Sequence, residues 1–220
     1  MKHQHFNFRE QNLWLSPERV IFWEDEKALI ISDTHFGKTG HFRKSGIALP
    51  QSIFLEDLQR LFNLLQYYKP EQLIVVGDLF HSHSNKEHLL FEKWRNDFAQ
   101  LEILLVKGNH DVLKKDWYAQ IKIDVFADEP LRRNKLAFIH DHAHIDNFPQ
   151  HEDAYFFTGH LHPGIFIKGK SRQSLSFPCF YFNERFAVLP AFSKFSGLAL
   201  IDKKKTDNVF AIVNTELIAL

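Results

Sequence analysis

The sequence predicts a mixed α/β chain built around two sheets, and three observations predict it. In the first half, short apolar runs alternate with segments of helical spacing. In the second half, nearly every apolar run reads as a strand. Five of the apolar runs end in Asp, Asn or His. Alternation of strand and helix points to parallel pairing early in the chain, and strand after strand points to antiparallel pairing late.

The elements follow in order. Residues 20–23 and 28–32 are apolar runs on either side of Glu24-Asp25-Glu26-Lys27, which predicts a hairpin. Residues 52–68 place Ile53, Phe54, Leu58, Leu61, Phe62 and Leu65 at helical spacing, with Ser52 as N-cap and Pro70 past the end. Residues 73–76 form a buried-type strand that stops at Gly77-Asp78. A second helix is expected over residues 85–100, through Leu89, Leu90, Trp94 and Phe98. Residues 103–106 form another buried strand, and 112–121 a short helix. Strands are then expected at 136–139, 154–157, 164–167, 175–182, 186–189, 198–201 and 209–213. The apolar stretch "LPAFSKFSGLAL" reads as core, with a dimer surface as the other reading. No repeat or long linker divides the chain, so one domain over residues 1–220 is expected.

Composition narrows the function classes. Hydrophobic residues make up 45% and charged residues 25%, as in a soluble globular protein. No apolar stretch approaches the roughly 20 residues of a spanning helix. The start, Met1-Lys2-His3-Gln4-His5, has no apolar core of a signal peptide. Cys179 is the single cysteine, which excludes an intramolecular disulfide and a four-thiolate zinc site. A cytoplasmic protein without a membrane partner is expected. Lys+Arg and Asp+Glu both number 27, so the chain lacks the basic excess of a dedicated nucleic-acid binder. The 14 histidines raise the question of whether they cluster.

They fall at strand ends. Asp33-Thr34-His35, Gly77-Asp78, Gly108-Asn109-His110-Asp111, His140-Asp141-His142 and Gly159-His160-Leu161-His162 each follow an apolar run. In open α/β sheets, the carboxyl ends of strands line the ligand crevice, so clusters far apart in sequence can converge. Taken singly, Asp33 reads as a turn or cap residue, Asn109 beside Gly108 as a turn, and His140 or His160 as a surface histidine. Five such clusters in order are hard to produce by chance. Carboxylate, amide and imidazole donors together suit divalent metals such as Mn, Mg, Fe and Zn. Asp33/His35 and His160/His162 are each separated by one residue, which in an extended segment sets both side chains on one side. Leu161 would then turn into the core, and Gly159 would permit a close approach. Seven candidate ligands, Asp33, His35, Asp78, Asn109, His140, His160 and His162, exceed one tetrahedral site. They suit two ions sharing a carboxylate, the arrangement used in phosphoester hydrolysis.

In their order and spacing these motifs resemble the calcineurin-like metallophosphoesterases, whose motifs run D-x-H, GD, GNH[DE], H and GHxH. The resemblance spans about residues 29–162 and implies a two-sheet β-sandwich flanked by helices. It implies one metal on Asp33, His35, Asp78 and His162, and a second on Asp78, Asn109, His140 and His160, with Asp78 bridging. His140 stands at the strand end and is taken as the fourth-motif ligand, with His142 as the alternative. His110 is not needed as a ligand and would stabilise the phosphoryl group and protonate the leaving alkoxide. Asp111 would orient the His110 ring or cap the following helix.

The substrate is expected from smaller motifs. "GDLFHSHSN" lacks the GDxxDRG of serine/threonine phosphatases, and "GNHD" replaces their GNHE. "SDTHFGKTGHFRKSGIALP", "GDLFHS" and "LPAFSKFSG" resemble the bacterial ligase-associated metallophosphoesterases. That group is assigned to DNA repair as endonucleases and is encoded beside a DNA ligase, a helicase and an exonuclease-like protein. The resemblance implies DNA as substrate, Mn²⁺ as metal (with Fe, Zn, Mg or Co as alternatives) and repair proteins as partners. Lys38, His41, Arg43 and Lys44 follow the first motif and would touch phosphates, with an ordinary solvated loop as the other reading; His81 after Asp78 would touch phosphate, support the metal ligands or lie in a surface loop. The zero net charge predicts weak, salt-sensitive DNA affinity. A metallophosphoesterase for a small substrate, such as a cyclic nucleotide, a nucleotide or a lipid-sugar diphosphate, is the alternative. A non-catalytic scaffold is a third class, but a scaffold would be expected to lose ligands or the acid.

Overall fold

The computed structural model of the chain describes residues 2–38, 52–81, 86–168 and 174–220. Among them run strands β1 (Gln4–Phe8), β2 (Gln11–Ser16), β3 (Val20–Trp23), β4 (Ala28–Ile31), β5 (Gln72–Val76), β6 (Glu102–Val106) and β7 (Ile123–Phe126). These form one sheet in sequence order. β1 to β4 pair antiparallel, and β4 to β7 pair parallel. The helices α1 (Ser52–Tyr68), α2 (Lys86–Asp97) and α3 (Lys115–Gln120) alternate with the parallel strands.

The parallel strands are continuously apolar because both faces are covered. Leu29, Ile31, Leu73, Val75, Ile103 and Leu105 face the helices, against Phe54, Leu61, Phe91 and Trp94. Ala28, Ile30, Ile74, Val76, Leu104 and Val106 turn the other way, into the space between the two sheets. The second sheet closes that space with Phe138, Tyr155, Phe157, Phe180 and Phe182.

The second sheet contains β8 (Leu131–Arg133), β9 (Leu136–Phe138), β10 (Tyr155–Thr158), β11 (Pro163–Lys168), β12 (Ser174–Phe182), β13 (Phe186–Val188), β14 (Ala199–Leu200), β15 (Asn208–Val213) and β16 (Glu216–Ala219). β9, β10 and β13 pair parallel, whereas β11–β12, β12–β15 and β15–β16 pair antiparallel. The architecture is a two-sheet sandwich with helices on the outer face of the first sheet.

Three expectations need correction. The short helix predicted at 112–121 begins only at Lys115, because residues 109–113 belong to a loop held by Asp111. "LPAFSKFSGLAL" divides: Leu189, Ala191 and Phe192 are buried, while Phe195, Leu198 and Leu200 are exposed. Between β9 and β10, where no element was expected, short 3-10 helices occupy His142–Asn147 and Pro149–His151.

Candidate metal centre

The five polar clusters meet at one end of the sandwich. The loops after β4 and β5 continue the hydrogen-bond ladder of their strands. Asp33 N donates to Gly77 O (3.1 Å), His35 N to Asp78 O (2.9 Å) and Phe36 N to Leu79 O (2.9 Å). The Thr34 hydroxyl donates to Leu79 O at 2.7 Å. This ladder sets Asp33 and His35 beside Asp78. The second sheet is tied in by His160 N, 3.1 Å from Asp33 Oδ2, and by Gly159 N donating to His140 O at 2.9 Å.

Two sets of side chains result. Donor atoms of Asp33, His35 and His162 all lie within 4.8 Å of one another, as do those of Asp33, Asp78 and His140. His162 Nε2 is 3.4 Å from Asp33 Oδ1 and 3.4 Å from His35 Nε2. His140 Nε2 is 3.5 Å from Asp78 Oδ2 and 3.2 Å from Asn109 Oδ1. The His160 ring stands more exposed, with its centroid 5.1 Å from that of His140 and Nε2 3.9 Å from Asp141 Oδ2. His142 lies outside both sets, its ring tilted against that of Phe186 with centroids 4.9 Å apart.

The backbone differs from the extended geometry expected of D-x-H and H-x-H. Asp33, His35, Asp78, His160 and His162 all have positive φ, between 49° and 66°. A non-glycine residue there carries strain, and such residues concentrate where function demands them. The two pairs therefore face one centre through left-handed turns, not through strand alternation. Leu161 between the histidines is half-exposed and does not enter the core.

Close approach also explains two glycines. Gly77 has φ +83°, and a Cβ on it would overlap the His140 ring. A Cβ on Gly159 would overlap Ser32 Oγ and come within 2.6 Å of Asp33 Oδ2.

The electrostatics suit cation binding. Burial drives the His35 imidazole down to about 3, against the pull of Asp33 and Asp78, so the ring is neutral and offers a lone pair. Burial alone would lower His140 and raise Asp78. Their mutual hydrogen bond and charge dominate, holding His140 up at about 9 and Asp78 down at about 2, so a cation held by His140 would displace its proton. His35 Nδ1 is buried without a hydrogen-bond partner. A lone pair with no donor, beside carboxylates and further imidazoles, fits a divalent cation. Asp33, His35, Asp78, Asn109, His140, His160 and His162 are the residues that would hold such ions.

The other expected residues take defined places. His110 N donates to Asp78 Oδ1 at 2.9 Å, and its ring stacks on His81 with centroids 4.4 Å apart. The His110 ring is also 5.5 Å from that of His35. The Asp111 carboxylate does not turn to His110. Its oxygens accept from Phe80 N at 3.0 Å and Gly108 N at 2.9 Å, tying the loops after β5 and β6 together. Burial pushes that carboxyl up to about 7, against the pull of those two donors. The Lys38 amine donates to Phe195 O at 3.3 Å, and burial lowers its pKa. His41, Arg43 and Lys44 lie outside the described residues.

Sequence reasoning missed the clamp behind Asp33. Phe192 N donates to Ser32 O at 2.7 Å and Ser193 N to Asp33 O at 3.2 Å. That segment is gripped by Arg19, whose Nη1 donates to Ala191 O and Ser193 O (3.1 and 2.8 Å). The Arg60 guanidinium lies 4.0 Å over the Phe192 ring, with Asp57 Oδ1 3.2 Å from its Nη2. The signal was present: Asp57 sits in phase with the apolar stripe of Phe54, Leu58 and Leu61 on α1, where a carboxylate needs a partner.

Comparison with known proteins bears on this geometry. The crystal structure of a nuclease, MPE, from Pseudomonas putida superposes with a TM-score of 0.80 at 29% identity, covering 99% of this chain and 100% of that one. Yfce, a phosphoesterase from E. coli, aligns with a TM-score of 0.47 at 15% identity, over 87% and 96% of the two chains. A search of curated proteins found no match. The family model described as calcineurin-like phosphoesterase matches residues 26–212. With that match over most of its length, the chain belongs to the calcineurin-like phosphoesterases.

Proposed function

We propose that the protein is a dinuclear-metal phosphodiesterase that cleaves DNA, with Mn²⁺ as its metal and DNA repair as its setting. At the coarser level, family membership makes it a phosphoester hydrolase that uses divalent metal ions. The observation that carries the reading is the convergence of two carboxylates and three imidazoles, Asp33, Asp78, His35, His140 and His162, from both sheets. The DNA substrate is supported by end-to-end similarity to a nuclease at 29% identity. A cytoplasmic reaction, in company with repair proteins, belongs to the same reading.

Bound divalent cations supply positive charge for the phosphoryl oxygens and make a coordinated water acidic. The protein does the rest. Asp33, His35, Asp78 and His162 would hold one ion, and Asp78, Asn109, His140 and His160 the other. His110 is fixed through its backbone to Asp78 and through its ring to His81, so it stands beside the centre without being consumed as a ligand. In that position its imidazolium protonates the leaving alkoxide oxygen.

A small nucleotide diester is the second reading, favoured by a cavity of about 440 Å³ that opens beside Asn109, His140 and His160. The test is a panel of Mn²⁺, Mg²⁺, Fe²⁺ and Zn²⁺ against single-stranded DNA, duplex DNA, cyclic nucleotides and a generic phosphodiester. Cleavage of DNA with at least one metal is expected. Turnover of cyclic nucleotides with no DNA cleavage under any metal would exclude the first reading.

A further inference from the structure

The cavity beside the second half of the centre has a composition of its own. Its walls are Val106, Phe126, Pro130, Ile139 and Phe148, and its inner edge is the group Asn109, His140 and His160. Its volume, about 440 Å³, falls in the range of small-molecule sites. A phosphate held at the centre therefore carries one of its substituents directly into an apolar slot with two phenylalanines.

The rim of the slot argues against a second phosphate. Three acidic side chains, Asp128, Glu129 and Asp141, line it, with Lys107 as its one lysine and His144 beside them. Glu129 is engaged by Gln150 (3.1 Å), and Asp141 accepts from Ala143 N (2.9 Å). Asp128 and the Asn147 amide have no side-chain partner among the described residues, although both line the cavity. An apolar slot edged by a free carboxylate and a free amide takes a flat, uncharged group bearing N–H donors.

We infer that this slot receives the nucleobase next to the scissile phosphate, and that it prefers bases with an exocyclic amino group. The inference rests on the phosphodiesterase reading and gives it a substrate class. A carboxylate accepts from an exocyclic amine, as Asp or Glu does from cytosine N4, and a side-chain amide pairs with adenine N6 and N7. The ring itself is held by stacking on aromatic faces, a contact that every base can make. Thymine has the face but lacks the amine. It fills the slot without satisfying Asp128.

The experiment uses the metal-loaded protein and p-nitrophenyl esters of deoxycytidine 5′-phosphate, thymidine 5′-phosphate and methyl phosphate. The wild type is expected to show a lower KM for both nucleosides than for the methyl ester, with deoxycytidine lowest. In Asn147→Trp, which fills the slot from an exposed position, the nucleoside-to-methyl ratio of kcat/KM is expected to fall at least tenfold. In Asp128→Asn the deoxycytidine-to-thymidine ratio should fall towards one while the thymidine-to-methyl ratio holds. Binding of deoxycytidine 5′-phosphate, followed by calorimetry, should weaken in both variants. Ratios and binding unchanged in both variants would overturn the inference and leave the phosphodiesterase reading standing. Absence of turnover of all three esters by the wild type under every metal would instead overturn that reading, and the inference with it.

Discussion

His140 Nε2 lies 3.5 Å from Asp78 Oδ2, and the two residues come from different sheets. Asp78 follows β5 of the first sheet and His140 follows β9 of the second, so their pairing joins the sandwich at the centre of the site. Asp78 also accepts from His110 N, which couples that residue to the same carboxylate. Asp78→Asn keeps the shape and removes the charge. Phosphodiester hydrolysis is expected to fall by about three orders of magnitude, or about 4 kcal/mol of transition-state stabilisation. Metal content should fall with it, read by mass spectrometry of the purified protein. Unchanged hydrolysis would place the site elsewhere.

His160 and His162 should be separable. His162 Nε2 stands 3.4 Å from both Asp33 and His35, whereas the His160 ring adjoins His140 and Asp141. Each alanine substitution is expected to remove metal from a different half of the centre. Titration with Mn²⁺ should show one tight site left in each variant. Double-variant combinations tell the halves apart: His162→Ala with His35→Ala loses little beyond the single change, and His162→Ala with His140→Ala loses both sites. Identical losses in every combination would show a single shared site.

Much of this centre was legible before any coordinates. The five clusters at strand ends and their order follow from apolar runs that stop at Asp, Asn or His. The local geometry was not legible. D-x-H and H-x-H suggest alternation along a strand, yet Asp33, His35, His160 and His162 all have positive φ. Propensity rules describe unstrained backbone, and here tertiary hydrogen bonds hold a strained one. The edge strands β1, β7 and β16 escaped for another reason. Each is short and carries polar residues, such as Asn7 in β1 and Asp124 in β7, so no buried pattern announces it. The Arg19–Asp57–Arg60 clamp escaped because Asp57 and Arg60 on α1 act on a segment more than 130 residues further along the chain, which Arg19 grips from a third place, and the three make sense only together.

Asp111 should act on stability more than on catalysis. Its two oxygens satisfy the backbone N–H groups of Phe80 and Gly108, in the loops that carry Asp78 and Asn109. Asp111→Asn leaves one donor facing an NH₂ group. A buried unsatisfied donor of this kind costs about 2 kcal/mol. For a chain of this size that corresponds to a fall in Tm of about 4–8 °C. A variant with full thermal stability but lowered activity would instead point to an effect on His110.

Cys179 gives a test of packing remote from the site. The thiol is fully buried, and burial pushes it up to about 12. The thiolate is the reactive form, so at pH 8 almost none is present in the native protein. A chromogenic disulfide reagent should leave the folded chain unmodified over minutes and titrate one thiol per chain in denaturant. Rapid modification of the folded protein would show that β12 opens readily.

Gly159→Ala tests whether the centre depends on close approach between the sheets. The added methyl would overlap Ser32 Oγ and lie 2.6 Å from Asp33 Oδ2 and 2.8 Å from Val76 O. None of these neighbours can swing away freely: Ser32 reaches Asp33 Oδ2 and Val76 O, and Asp33 accepts from His160 N. The strain must go into parting the loop after β10 from the loop after β4. Overpacking of this kind costs about 1–3 kcal/mol, which denaturant unfolding can resolve. The parting moves His160 and His162 away from Asp33, so metal affinity and hydrolysis should drop more than stability does. A Gly159→Ala protein with full metal content and wild-type hydrolysis would mean that the ligands do not need this contact.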